Sequence, residues 1–263
     1  MKILGPPCVV PLLVLIVTAM FAPVLAQYDP LDMDKQSTLQ APSWRHPMGT
    51  DQFGRDILSR LIYGTRVALA IGLGATLAAA AIGVPLGLWA GSLGGKTDAA
   101  LMRGVDTLLA IPPVLLALAL VAMLGPGSVN AGIAVAVVTM PQFARLARAG
   151  ALAEREQEYT EAAVALGANW RWVVFRTIFP NVLSPIIVQV PIAASRAILL
   201  EASLSFLGLG TQPPTPSWGL MVSESRSYMY TVPTYGIFPG ALIAVTVLSL
   251  NNISDVVRRR RRA

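Results

Sequence analysis

The chain has 263 residues, 54% of them hydrophobic and only 13% charged, with a formal net charge of +6 at pH 7. A soluble domain carries about 25% charged residues, and here the charges cluster, leaving apolar runs near the roughly 20 residues that cross a bilayer. This excludes a soluble globular protein and reads as an all-α polytopic membrane protein.

The first apolar stretch runs from Ile3 to Ala26, behind Lys2. It is long for the apolar region of a secretion signal and reads as an uncleaved first span. The rival reading is a signal peptide ending at Val24-Leu25-Ala26. In both readings Gln27 emerges outside. Residues 27–62 are polar and hold a short amphipathic segment, Asp51–Ile62, with Phe53, Ile57, Leu58, Leu61 and Ile62 near helical spacing.

Five more spans are expected over Thr65–Ala90, Val105–Leu124, Asn130–Leu146, Leu183–Leu207 and Ile237–Ile253, with Gly125-Pro126-Gly127-Ser128 a tight turn. Gly72, Gly74, Gly83, Pro85 and Pro191 lie inside them. A membrane tolerates such residues because neighbouring helices re-satisfy the backbone, and small residues such as Ala78–Ala81 allow close approach. The chain then divides into an N-terminal span with its external segment (1–64), a core (65–255) and a basic tail (256–263).

Basic residues in the connections set the orientation. With the N-terminus inside, the inner side carries Lys2, Lys96, Arg103, Arg145, Arg148, Arg155, Arg171, Arg176 and the run Arg258–Arg262. These outnumber Lys35, Arg45, Arg55, Arg60, Arg66 and Arg226 outside, which Asp29, Asp32, Asp34, Asp51 and Asp56 accompany. Both termini are expected in the cytoplasm. The arginine run follows an apolar helix and anchors it at the membrane, so the net charge implies no nucleic-acid partner. With one cysteine, Cys8, and one histidine, His46, an intrachain disulfide and a zinc site of Cys and His are excluded.

Ala90-Gly91-Ser92-Leu93-Gly94-Gly95-Lys96-Thr97 is one residue short of a phosphate-cradling loop. A working loop follows a buried strand and opens a helix; here a membrane span precedes it, so this chain is not expected to hydrolyse ATP.

The polar run from Glu154 to Trp172 is different. Its residues favour helix, Gly167 interrupts it, and Ala162, Ala163, Val164 and Leu166 sit among its charges. Two short helices meeting near Gly167 are expected, one of them fit to dock into a partner's groove.

Glu161-Ala162-Ala163, then Gly167, then Ile178-Phe179-Pro180 resemble the cytoplasmic "EAA" loop of binding-protein-dependent ABC importer permeases. Gly49-Thr50-Asp51-Gln52-Phe53-Gly54-Arg55-Asp56, Glu201–Gly210 and Pro213–Gly219 resemble the C-type permease of dipeptide, oligopeptide and nickel systems. Phe179 replaces the family's usual leucine, and the arginine run replaces its acidic tail.

The resemblance implies a six-helix type I permease fold in a bacterial inner membrane. It implies a subunit that is not itself an enzyme and moves short peptides by alternating access, with nickel or another small solute as the alternative. The implied partners are a second permease subunit in a heterodimer, two ATPase subunits that bind ATP and magnesium, and an external substrate-binding protein. Glu161, Ala162, Ala163, Gly167 and Pro180 would form the ATPase-coupling loop. No cofactor or metal is implied for this chain.

Arg196 and Glu201 are the charged residues expected at depth, where such groups face a cavity or a partner. Glu201 is open to two readings, a translocation path or a structural pairing. The loop Thr211–Tyr235 carries Trp218, Met221, Tyr228 and Tyr230 and is expected to pack on a neighbour. His46 and Asp51 read as local caps. A secondary transporter would show an internal repeat and more buried ionisable groups, and an intramembrane enzyme would need a base near Ser203 or Ser205; neither is evident.

Overall fold

A computed structural model describes residues 10–260. Lys2, Cys8, the start of the first apolar stretch and the last arginines lie outside the described residues. The described chain is helical, with an isolated bridge between Thr50 and Asp56 as its β pairing. In order the helices are α1 (Val10–Met20), α2 (Ala22–Leu25), α3 (Ile57–Leu93), α4 (Gly95–Leu109), α5 (Pro113–Leu124), α6 (Ser128–Arg155), α7 (Glu158–Ala165), α8 (Trp170–Trp172), α9 (Phe179–Phe206), α10 (Trp218–Ser225) and α11 (Thr234–Arg260). A π-helical stretch, Val173–Ile178, joins α8 to α9.

Four helices are long and apolar enough to cross a membrane: α3, α6, the continuous helix Trp170–Phe206, and α11. The pair α4 and α5 meets the same test together but bends by 91°. The straight third span expected over Val105–Leu124 is therefore corrected. Pro112 and Pro113 follow each other at the break, and Pro112 is extended (ψ 131°). A residue before proline is pushed out of the helical region, and proline itself fits only the first turn of the next helix.

A second correction concerns Asp51–Ile62, which is not a helix of its own. Asp56 caps α3 by accepting from the Ser59 amide at 2.8 Å. Ile57–Ile62 are thus the first turns of the long helix, and 51–55 are a turn that buries Asp51 and Arg55 and exposes Phe53. An acceptor at the N-cap satisfies an amide that the helix leaves free.

The framework is the contact between α3 and α6. A Cβ on Gly83 would lie 2.6 Å from the Met140 carbonyl, and one on Gly91 would lie 2.7 Å from that of Arg148; Gly87 abuts Ala144 in the same way. Both series advance by four residues, so the helices run parallel with their backbones touching. Ala144, Ala147 and Ala151 supply the facing small surface. Such small-residue seams are how helices associate where lipid offers no hydrophobic driving force. Two parallel neighbours need a return crossing between them, and α4–α5 supplies it.

Helix α9 packs antiparallel on this pair, with Ile198 beside Gly72 and Val182 beside Gly150. The Ser254 hydroxyl of α11 donates to the Val188 carbonyl at 2.8 Å, and the Ser195 hydroxyl meets Asn251 Oδ1 at 3.1 Å.

At the end opposite the polar run, α3, α10, α11 and the 26–56 segment share a buried polar cluster. Asp51 accepts from the Phe53 and Arg55 amides at 2.8 and 3.0 Å and from Arg55 Nε at 2.6 Å. Arg60 Nη2 reaches Glu224 Oε2 at 3.1 Å, and the Tyr235 hydroxyl donates to the same oxygen at 2.6 Å. Asp51 caps the turn as expected; His46, also expected as a cap, instead places Nδ1 3.0 Å from Asp56 Oδ1, and the cap of α3 is Asp56.

Trp218 and Met221 are buried within this chain, which corrects the expectation that they pack on a neighbour. Trp218 donates from its indole to the Leu61 carbonyl at 3.2 Å. Tyr230, by contrast, is fully exposed.

The seam yields a direct check. Gly83→Leu is expected to lower stability by about 2 kcal/mol through overpacking. Gly74→Ala, whose Cβ meets nothing within 4 Å, is expected to change it by less than about 0.5 kcal/mol. Thermal unfolding of the detergent-solubilised chain compares the two.

Candidate functional site

The polar run folds as one short helix, α7, and the start of a second, separated at Gly167; two short helices were expected, and the second instead runs on as part of Trp170–Phe206. Helix α7 ends in a turn that only glycine takes easily: Gly167 has φ +85°. Its amide donates to the Val164 carbonyl at 2.9 Å, and the Ala168 amide donates to the Ala163 carbonyl at 3.0 Å. This is a Schellman closure, which satisfies carbonyls that a helix end leaves bare. Asn169 then caps the next helix by accepting from the Arg171 amide at 3.1 Å.

Pro180 lies in the first turn of α9. In a regular α-turn its ring would clash with the Arg176 carbonyl, and the wider π turns of Val173–Ile178 sit just ahead of it. The second short helix therefore does not stop, and Trp170–Phe206 runs as one helix of 37 residues.

The predicted loop residues are brought together on the surface. Glu161 and Ala162 are exposed, Ala163 is half-buried, and Gly167 and Pro180 are exposed. Leu166 is 89% exposed, an apolar side chain left to water on a helix tip.

What holds α7 to the body was not singled out from the sequence. The Tyr159 hydroxyl donates to Glu154 Oε2. Asn181 Nδ2 lies 3.1 Å from that carboxylate oxygen, 3.2 Å from the Tyr159 hydroxyl and 3.0 Å from the Thr177 carbonyl. The hydrogen bond to Glu154 pushes the Tyr159 phenol above its ordinary range. One polar knot thus joins the end of α6, the start of α7 and the start of α9. Tyr159 and Asn181 carried no pattern of their own; only the fold makes them neighbours.

Two ion pairs fix the adjoining return helix. Arg148 grips Asp98 through two bonds of 2.5 and 2.6 Å, and Arg145 reaches Asp106 at 2.7 Å. The run Ala90–Thr97 forms the end of α3, a glycine corner (Gly94 φ +66°, Gly95 φ +59°) and the start of α4. A helix precedes that corner, where a phosphate-cradling loop would need a strand.

Arg196 and Glu201 are not brought together. Arg196 is exposed, with Nη1 3.2 Å from Gln142 Oε1. Glu201 is 1% exposed. Ser205 Oγ donates to its Oε1 at 2.7 Å, Thr211 Oγ1 donates to the same oxygen at 3.3 Å, and the Thr211 amide donates to Ser205 Oγ at 2.9 Å. This network closes the corner after α9.

Residues 83–263 match the model of the binding-protein-dependent transport system inner membrane component. The chain belongs to that family. Relatives extend the match across nearly the whole chain. A di/tripeptide transport system permease of Pseudomonas aeruginosa is 41% identical over 94% of this chain and 84% of its own length. A dipeptide transport system permease of Alkalihalophilus pseudofirmus is 44% identical over 92% and 80%. A glutathione transport system permease of Pectobacterium atrosepticum is 43% identical over 94% and 82%.

Among solved structures, the inward-facing MetNI methionine ABC transporter matches with a TM-score of 0.62 at 18% identity, over 76% of this chain and 97% of that one. An amino acid ABC transporter matches at 0.53 and 17% identity, over 77% and 94%. These two show a shared fold. This inner membrane component is a transport subunit rather than an enzyme; the ATPase and the binding protein are separate subunits.

The knot at Glu154 predicts a local effect. Tyr159→Phe removes one donor and is expected to speed hydrogen exchange across 158–165 severalfold, with the amides of α6 before residue 150 unchanged. Exchange read by mass spectrometry checks it, and uniform exchange across both regions would contradict the knot.

Proposed function

We propose that this chain is the permease of a short-peptide importer, driven through α7 by partner ATPase subunits. The observation that carries the reading is the exposed α7 tip on a rigid mount: Glu161, Ala162 and Leu166 are open to a partner, while the Glu154–Tyr159–Asn181 knot ties the helix to α6 and α9. A partner can shift a conformational equilibrium only if it binds the two states differently. A helix held firmly to the spans transmits such a difference, and a loose loop absorbs it.

In this reading α7 and both termini face the cytoplasm, as the excess of basic residues on that side supports. A second permease subunit completes the pathway, an external binding protein delivers substrate, and two ATPase subunits carry ATP and magnesium. Small residues at Ala162 and Ala163 keep the docking surface low. Gly167 sets the turn, and Pro180 begins the rod that carries movement away. Arg196, exposed on α9, faces the path between subunits, and Glu201 holds the outer corner. The names of the dipeptide, di/tripeptide and glutathione relatives, at 41–44% identity over nearly the whole chain, support short peptides as the substrate class.

The test is reconstitution of the complete transporter in proteoliposomes, reading ATP-driven uptake of labelled Ala-Ala. Ala163→Trp is expected to lower uptake at least tenfold while the chain still unfolds cooperatively, its half-buried position costing no more than about 1–3 kcal/mol. Deleting residues 158–172 is expected to abolish co-purification of the ATPase. Undiminished uptake by Ala163→Trp would sink the coupling role, and no peptide uptake by the parent would sink the substrate class.

A further inference from the structure

Helix α9 carries a polar stripe along its open face. Gln189, Arg196 and Ser203 recur every seven residues, close to two helical turns, so they share one side of the helix. Gln189 is half-buried and Arg196 and Ser203 are exposed, whereas Ala193, Ala194, Ala197 and Ile198 are buried against the neighbouring helices.

Arg196 is the member of the stripe that demands a partner. The expected spans hold Arg66 and Arg145 at their ends, but Arg196 lies near the middle of Leu183–Leu207, about 15 Å from Phe206 at 1.5 Å per residue. A guanidinium exposed to lipid at that depth is costly, and such groups face a water-filled cavity or pair with another group. No carboxylate among the described residues lies within ion-pair distance of it. Glu201 of the same helix is buried with Ser205 and Thr211 instead. Gln142 Oε1 accepts from Arg196 Nη1 at 3.2 Å, which steadies the guanidinium and leaves its Nε–Nη2 edge open. That edge takes a carboxylate through two parallel bonds.

Beside Arg196 the same face opens into a cleft. Leu199 and Ser203 line a cavity of about 310 Å³ together with Phe206, Val222 of α10 and Ile243 of α11. Apart from Ser203 its walls are apolar. Its volume sits at the lower end of the roughly 300–1,000 Å³ of small-molecule sites, room for a small apolar group rather than a large solute.

We infer that Arg196 is a carboxylate-binding station on the transport path. Its Nε–Nη2 edge takes the C-terminal carboxylate of a short peptide, Gln142 positions the guanidinium, and the cleft at Leu199 and Ser203 receives an apolar side chain. The inference rests on the peptide-import reading and adds a chemical filter to it. A solute with a free carboxylate gains from the site, and a bare metal cation meets a like charge there. A group presented on one open helix face holds its ligand loosely, and a transit site has to release what it binds.

The test uses the complete transporter in proteoliposomes, with Cys8→Ser to remove the single native thiol of this chain and Leu199→Cys as a reporter. Two membrane-impermeant methanethiosulfonates, one anionic (sulfonatoethyl) and one cationic (trimethylammonium-ethyl), are applied on both faces, and labelling of this chain is read by mass spectrometry. The reporter is expected to react with both, and more slowly when Ala-Ala is being imported. Adding Arg196→Gln is expected to lower the anionic-to-cationic rate ratio at least threefold. Without the reporter, Arg196→Gln is expected to lower uptake of labelled Ala-Ala at least tenfold, and Arg196→Lys, which keeps the charge, by less than threefold. A thiol that neither reagent reaches faces lipid or protein and overturns the station. An unchanged rate ratio overturns it too, as does undiminished uptake by Arg196→Gln; both leave peptide import standing. Loss of the second permease subunit from Arg196→Gln preparations replaces the station with an ion pair between subunits. No Ala-Ala uptake by the parent sinks peptide import, and this inference with it, whatever the rate ratio.

Discussion

Everything else in this fold depends on two backbones touching. The Gly83, Gly87 and Gly91 stripe lets α3 approach the carbonyls of α6 to a distance that no Cβ permits. In lipid, where apolar side chains gain nothing by meeting one another, close packing has to supply the association. Because the contact runs parallel, it fixes the ends of both helices at one face of the protein. Leu93 and Arg155 are those ends, and from them leave the glycine corner and, beyond Gln157, α7. That face is therefore set by three glycines on one helix.

The other face is held by charge. Asp51, Arg55, Arg60 and Glu224 are two acids and two bases, the first three nearly or fully buried. A buried pair adds little net stability over apolar residues, but removing one partner leaves a charge stranded at several kcal/mol. The cluster thus serves less as glue than as a fixed register: it joins the turn before α3 to α10 and α11 in one arrangement. Trp218 works with it, filling the space beside Gly64 and donating to Leu61.

How much of this was legible depends on the range of the signal. Spans over Thr65–Ala90, Leu183–Leu207 and Ile237–Ile253 were readable because hydropathy is local; the first and last fall within helices, and Leu183–Leu207 overruns α9 by one residue. Gly167 was readable because a turn of positive φ has a sequence signature. The bend at Pro112–Pro113 was also in plain view, but an apolar run outweighs two prolines when only span length is considered. Trp218 and Met221 failed for a different reason. An aromatic in a proline-rich loop reads alike whether it packs on its own chain or on another, and only the position of α3 decides. The Glu154–Tyr159–Asn181 knot brings Asn181 to residues more than twenty positions earlier, and no local pattern marks it. For the coupling loop, the family motif supplied the residues and the fold supplied their support.

The continuous helix of α8, the π stretch and α9 is what connects the two faces. From Trp170 to Phe206 it has 37 residues without a break, about 55 Å at 1.5 Å per residue. One end carries Asn181 in the α7 knot, and the other carries Glu201 in the corner before α10. Between them Gly150 and Gly72 receive its Val182 and Ile198, so it lies against the α3–α6 pair along much of its length. Its irregular stretch, the π turns of Val173–Ile178, sits ahead of Asn181 and beside α7. In the proposed coupling, a displacement entering at α7 through the knot reaches α9 at Asn181, on the regular α-helical part of the rod. The bent crossing α4–α5 is tied to the α6 side of that rod by Arg148–Asp98 and Arg145–Asp106, while α5 buries Ala117 and Val121.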